Sequence, residues 1–302
     1  MKLRRTLLWV NGNDTEKIDK AIASGTDCVV FDLEDGVPAP QKEEARAITA
    51  KALRERNFRG KERIVRINHL DTPDAMKDLE AILPSLPDAI RLPKCESVEY
   101  VLRLDKILSN FEQANGLAAN TIEIILMIET ARGAVNSYAL ATACERVTAM
   151  GIGMEDMTAS LGLKRHYELG SHDLLFVRQK IVLDACAAGV QPLDACVLFL
   201  GNTDYIREDT ENIKRDGFVG RSVYDLSQVD AINEVFTPST EEIDWAKRVI
   251  QVYENGKNSG VAEIRLDEMY IDPPVIAKAE RILKLQKVIE TRVGCESCQE
   301  VV

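Results

Sequence analysis

The sequence predicts an α/β fold, a (β/α)₈ TIM barrel with a C-terminal helical extension. Three observations carry that expectation. Short runs rich in Val, Ile and Leu recur through the first 225 residues. Most of these runs are continuously apolar rather than alternating, as strands of a parallel sheet covered on both faces are. Helix-length segments with apolar residues at helical spacing lie between them, on short links. An open doubly wound sheet is the rival. It would more often show a G-x-G-x-x-G turn after its first strand, where this chain reads Asn11-Gly12-Asn13-Asp14-Thr15.

Taken in order, the strands are expected at Leu7–Asn11, Cys28–Leu33, Ile64–Asn68, Ala89–Pro93, Ile122–Ile128, Val147–Ile152, Ala195–Leu200 and Val219–Tyr224. The helices between them are expected at Asp14–Ser24, Gln41–Arg56, Thr72–Leu83, Val98–Ala114, Asn136–Ala143, Asp173–Ala188 and, more polar, Tyr205–Arg215. Val98–Ala114 shows the spacing most fully, with Val101, Leu104, Ile107, Leu108 and Phe111 on one face. Past Tyr224 the texture changes. Ser239 followed by Glu242 is a capping box that opens a helix with Ile243, Ala246, Val249, Ile250 and Tyr253 on one face. A strand-like stretch, Val261–Leu266, and a last helix to about Glu290 follow. The domain division is therefore 1–235, the barrel, and 236–302, an extension whose apolar face must pack on its own barrel or on a neighbour.

Composition bounds the function. Of 302 residues, 45% are hydrophobic and 29% charged, which excludes disorder and low complexity. Asp and Glu number 49 against 38 Lys and Arg, a net charge of −11 that makes nucleic acid a poor partner. No apolar run approaches a membrane span, and the run from Leu7 to Val10 is too short for a signal peptide. The expected location is the cytoplasm, with no membrane partner. Cys28, Cys144, Cys186 and Cys196 sit in apolar segments and read as reduced, buried thiols. Three His without ligand spacing and a lone Cys295-x-x-Cys298 argue against zinc.

In such barrels the chemistry sits at the C-terminal ends of the strands. The polar residues there are Asp32, Glu34 and Asp35 after strand 2, Arg66 and Asn68 at strand 3, and Lys94 after strand 4. Glu129 follows strand 5, and Glu155 and Asp156 follow strand 6. Several carboxylates at one mouth cannot all stay ionised without compensation. A hard divalent cation on oxygen ligands, Mg²⁺ first and Mn²⁺ next, meets that need, and Glu129 and Asp156 end adjacent strands. The bland alternative is that each acid is an N-cap or a solvated loop residue. Arg66, among apolar neighbours, either pairs with Asp32, Glu34 or Asp35, or grips a substrate carboxylate, or does both.

These residues belong to stretches reading RRTLLWVNG, FDLEDGV, VRIN, IRLPK, MIETARG, GIGMED, DGFVGRSV and YIDPPVI, in order over nearly the whole chain. In them the chain resembles the citrate lyase β-subunit family, the HpcH/HpaI-type aldolases with malyl-CoA and citramalyl-CoA lyases. The resemblance implies a barrel, often a homotrimer or a multiple of it, whose C-terminal segment reaches a neighbour's site. It implies Glu129 and Asp156 as Mg²⁺ ligands, Arg66 on the substrate, and the backbone N–H groups of Met154, Glu155 and Asp156 on a carboxylate. It also implies Asp272 as the proton donor at the thioester's α-carbon, and Arg5, near the mouth of strand 1, on the CoA or acyl-carrier-protein phosphates. Asp32, Glu34 and Asp35 would support. The implied reaction cleaves a citryl-, malyl- or citramalyl-type thioester to a 2-oxo acid and an acetyl or propionyl thioester. The base for the hydroxyl stays open among a water at the metal, Asp32 and Glu34. Two stretches depart from the family: Val10-Asn11-Gly12 at the first turn, and Val223 to Gln228 after strand 8, where only Gln228 matches. Two other functions therefore stay in view: a class II aldolase on a free hydroxy-keto acid, and a non-catalytic subunit that keeps the metal site.

Overall fold

A computed structural model describes residues 2–198, 202–258 and 263–299, with no side-chain detail for Asn258 or residues 293–299. Eight parallel strands close on themselves in sequence order. They are β1 (Thr6–Asn11), β2 (Cys28–Asp32), β3 (Glu62–Arg66), β4 (Ala89–Leu92), β5 (Glu123–Ile128), β6 (Val147–Ile152), β7 (Gln191–Asp194) and β8 (Gly220–Val223). Helices α1 (Thr15–Ala23), α2 (Lys42–Glu55), α3 (Pro73–Ile82), α4 (Val98–Ala114) and α5 (Ala131–Ala141) follow β1 to β5 in turn, α6 (Met154–Leu161) and α7 (Leu175–Ala188) both follow β6, and α8 (Thr203–Asp216) follows β7.

The interior is built in layers because a strand turns every second side chain inward. At the closed end Arg4 donates to Glu62 at 2.7 Å, to Glu123 at 2.6 Å and to Gln191 at 2.9 Å. These three begin β3, β5 and β7, so one guanidinium ties alternate strands together. An apolar belt of Val30, Ile64, Ala89, Ile125, Ala149 and Leu193 sits above it. Two residues further along the strands the inward positions become polar at the mouth: Asp32, Arg66, Arg91 and Ser222.

Three expectations about elements are corrected. The seventh strand is Gln191–Asp194, not Ala195–Leu200. Its Asp194, buried on the outer, helix-facing side of the strand, is neutralised by Arg178 and Arg221, whereas Ala195, Cys196 and Leu198 line the mouth. The apolarity of that run is that of a cavity wall, while Phe199 and Leu200 lie outside the described residues. The GIGMED stretch continues into α6, a helix that is not among those expected from apolar spacing, with Gly153 before it and Gly162 closing it at φ 67°. Cys186 is exposed, and Cys144 and Cys196 are half-buried; only Cys28 of the four is buried.

The chain divides into two compact units, one of Arg4–Asn233 and one of residues up to 3 with those from Glu234 on. The second contains α10 (Thr240–Asn258), a two-stranded antiparallel ribbon of β9 (Arg265–Leu266) and β10 (Met269–Tyr270), and α11 (Pro273–Gln299); α9 (Val229–Phe236) crosses the boundary. The expected strand-like stretch is this ribbon, and its first residues, Val261 and Ala262, lie outside the description. The unit has its own core of Ala246, Val249, Leu266, Ile271 and Ala279. The capping box forms as its residue types demand. Ser239 Oγ accepts from the Glu242 N–H at 3.1 Å, and Glu242 accepts from the Ser239 N–H at 2.9 Å.

Candidate active site

The mouth of the barrel holds an open cleft with an empty volume of about 800 Å³. Trp9, Arg66, Met127, Glu129, Asp156 and Tyr224 are among its walls. Each acid or base in it is set by a local device.

Asp32 ends β2. Its carboxylate accepts the N–H groups of Glu34 and Gly36, both at 2.9 Å. It also takes a bidentate grip from Arg66 at 2.8 and 2.7 Å. Gly36 makes this possible, since a Cβ there would lie 2.3 Å from Asp32 Oδ2. Arg66 is further paired with Glu34 at 2.8 Å and lies over the Trp9 ring at 4.7 Å. Its guanidinium is thus fixed before any ligand arrives. Both readings of Arg66 therefore remain compatible: it is structurally paired, and it faces the cleft.

Glu34 is buried between Arg66 and Lys94. Burial pushes its carboxyl up to about 7, with Arg66 opposing. Its Oε2 has an ion pair but no hydrogen bond of good geometry. Lys94 donates to Glu34 at 3.1 Å and to the exposed Asp35 at 3.3 Å.

Glu129 follows β5 and is buried. Its Oε2 accepts the Lys94 N–H at 2.8 Å. Lys94 adopts a left-handed backbone, φ 47°, to deliver that N–H. The IETARG stretch explains itself here. Glu129 is the acid, and Thr130 caps α5 by accepting from the Gly133 N–H at 3.1 Å. Gly133 admits the Cys95 carbonyl, which would lie 2.4 Å from a Cβ. Gly153 does the same for Glu129 itself, whose Oε1 would lie 2.5 Å from a Cβ. Burial raises the Glu129 carboxyl, and Asp156 pushes it further the same way, against the Lys94 N–H and Arg66. Two carboxylates, one of them desolvated with an oxygen to spare, suit a small hard cation that keeps its other positions for water or substrate. No cluster of three or more His, Cys, Asp or Glu suited to a metal occurs among the described residues.

Asp156 and Glu155 lie in the first turn of α6, whose first residue, Met154, is buried. Glu155 points outward to Arg165 and Tyr167. Asp272 is exposed in the second unit, where it caps α11 by accepting from the Val275 N–H at 3.1 Å. Arg5 is corrected: it does not belong to the mouth. It precedes β1, so it stands at the N-terminal, closed end, and its guanidinium and backbone N–H are taken by Asp27 at 2.8 to 2.9 Å. Arg91 was missed by sequence reasoning. Like Arg66, it is an Arg inside an apolar strand, Ala89–Leu92, and that signal was available.

The chain matches the HpcH/HpaI aldolase/citrate lyase family over residues 5–225. It belongs to that family. This HpcH/HpaI-family chain is 33% identical over 284 residues to citrate lyase subunit beta of Leuconostoc mesenteroides subsp. cremoris, covering 94% of the chain and 93% of the relative. It is 33% identical to the mitochondrial citramalyl-CoA lyase of Homo sapiens, over 96% of the chain and 87% of that protein. The fold matches the Mycobacterium tuberculosis protein CitE in complex with magnesium, acetoacetate and coenzyme A. The TM-score is 0.76 at 29% identity, over 94% and 98% of the two chains. A second M. tuberculosis structure, citrate lyase beta subunit complexed with oxaloacetate and magnesium, matches with a TM-score of 0.67 at 29% identity, over 78% and 98%.

Proposed function

We propose that this protein is a Mg²⁺-dependent carbon–carbon lyase that cleaves a 3-hydroxyacyl thioester to a 2-oxo acid and an acetyl or propionyl thioester. The observation that carries the reading is the buried Glu129, crowded by Asp156 and facing a fixed Arg66, in a chain whose relatives are carbon–carbon lyases. Glu129 and Asp156 would hold Mg²⁺, or Mn²⁺ with the same ligands. When bound, the ion polarises the oxygen that becomes the 2-oxo group and lowers the charge cost at the paired carboxylates.

The rest is the work of this chain's side chains. Arg66, held by Asp32, presents a cation to the charge that develops on the departing thioester enolate. The N–H groups of Met154, Glu155 and Asp156 point out of the start of α6 and suit a substrate carboxylate. Asp32 has both oxygens committed to Arg66 and backbone donors, which leaves it a positioning residue. Glu34, with Oε2 not hydrogen-bonded, is the better base for the hydroxyl proton. Asp35 and Lys94 flank it. Asp272, exposed at the start of α11, would protonate the α-carbon in a neighbouring subunit's site, in a homotrimer or a multiple of it. The carrier is CoA or an acyl-carrier protein. We place the protein in the cytoplasm, a reading its free cysteines support; no helix among the described residues is long and apolar enough to cross a membrane.

The test is cleavage of citryl-, malyl- and citramalyl-CoA by the purified protein with Mg²⁺ or EDTA, following the released 2-oxo acid. Mg²⁺-dependent release from one of them is expected. Silence with all three, or activity only on a free hydroxy-keto acid, overturns the CoA reading.

A further inference from the structure

Among the described residues Arg91 has no ion-paired carboxylate, and Glu129 acts on it only through space. Its side chain is fully buried in the top layer of the barrel, and no carboxylate bonds to it. One terminal nitrogen, Nη1, has no hydrogen-bond partner. Nη2 reaches only Ser222 Oγ at 3.3 Å, and Nε donates to the sulfur of Met127. A thioether and a long hydroxyl contact are weak acceptors for a guanidinium. The carbon of the guanidinium lies over the Trp9 ring at 4.8 Å, beside the place where Arg66 lies over the same ring.

The contrast with Arg66 is informative. The two are register partners on β3 and β4. Arg66 has Asp32 and Glu34, while Arg91 has neither. Arg4, Arg146, Arg178 and Arg221, also buried, each have at least one carboxylate. A buried guanidinium without an anion is destabilising. The sequence nonetheless keeps room for it: a Cβ on Gly151 would lie 2.6 Å from Nη2. Three of the groups that cover it, Trp9, Met127 and Ser222, line the cleft. Met127 is an unbranched, flexible side chain that can yield its place to a better acceptor.

We propose that Arg91 is a specificity-determining residue that receives a second carboxylate on the 2-oxo acid fragment, so the preferred thioester is one that releases a dicarboxylic 2-oxo acid. The proposal rests on the lyase reading above. An anion entering between Met127 and Ser222 would meet Nη1 and Nη2 with charge-assisted hydrogen bonds, which a methyl or hydrogen in that position cannot make.

The experiment is calorimetric binding of oxaloacetate and of pyruvate to the intact protein in Mg²⁺, for the wild type, Arg91→Met and Arg91→Lys. Wild type is expected to bind oxaloacetate about thirtyfold or more tighter than pyruvate, and Arg91→Met to erase most of that ratio. The ligand-free Arg91→Met protein is also expected to melt no lower than wild type, since it loses an unpaired buried charge; a purely structural Arg91 predicts a lower midpoint. Equal wild-type affinities, or an equal loss of both ligands in the variant, overturn the proposal. If Arg91→Met does not fold, Arg91→Lys decides: the ratio must fall, and an unchanged ratio overturns the proposal. Mg²⁺-dependent release of pyruvate from citramalyl-CoA, with citryl-CoA left intact, would keep the lyase and remove this role for Arg91. Silence with every thioester would remove the lyase reading, while the binding ratio still judges Arg91.

Discussion

Glu34 shows how much one side chain's setting can differ from its type. A carboxylate with an ordinary value near 4.5 is held near 7 by burial, although Arg66 and Lys94 both oppose the shift. Between those values the folded protein holds a proton that the unfolded chain releases. Stability of the metal-free protein therefore falls as pH rises from about 4.5 to about 7, and the cost is fully present above that. Glu34→Gln should flatten this slope. Urea unfolding at pH 5 and pH 8 should show the variant gaining on wild type by on the order of 2 kcal/mol at the higher pH. A parallel decline in both proteins would mean that the titrating group lies elsewhere. Asp32, by contrast, spends both oxygens on four hydrogen bonds, from Arg66 and from backbone donors.

At the scale of elements, strand ends and helix starts do the placing. Gly153 is the joint between β6 and α6, and it is glycine because Glu129 occupies the space of a side chain. Gly153→Ala should push the Glu129 carboxylate aside. We expect Mg²⁺ affinity to fall about tenfold to a hundredfold, with a loss of about 1–3 kcal/mol in stability from overpacking. Mg²⁺ titration calorimetry beside thermal melting separates the two effects; unchanged Mg²⁺ affinity in a folded variant would remove Glu129 from the metal. Much of this was legible in the sequence. The acids after β2, β5 and β6 stand where strand ends were expected, because continuous apolar runs mark buried parallel strands locally. The seventh strand was not legible, because a cavity wall and a strand are equally apolar. Apolar spacing does not mark helix α6, because its eight residues show too few turns for a period to emerge.

At the scale of the whole molecule, the mouth of the barrel belongs to one compact unit and Asp272 to the other. If Asp272 transfers the carbon proton, Asp272→Asn should keep Mg²⁺ and 2-oxo acid binding. It should reduce deuterium exchange into the acetyl thioester methyl by about a hundredfold or more. Mixing Asp272→Asn with Glu129→Gln protein should then restore some activity if the residue acts across subunits. Exchange at the wild-type rate would assign the proton to another group.

The sequence by itself determined the eight-stranded closed fold, the capped helices and the set of acids at the mouth. Apolar runs, caps and glycine positions act on neighbours a few residues away, and such information is written along the chain. Only the tertiary structure decided that Arg5 is spent on Asp27, that Asp32 is spent on Arg66, that Glu34 keeps an oxygen not hydrogen-bonded, and that Arg91 is buried without a paired carboxylate. Those properties belong to pairs of residues tens of positions apart. Desolvation and ion pairing depend on what closing the barrel brings together, and no local pattern in the chain encodes that.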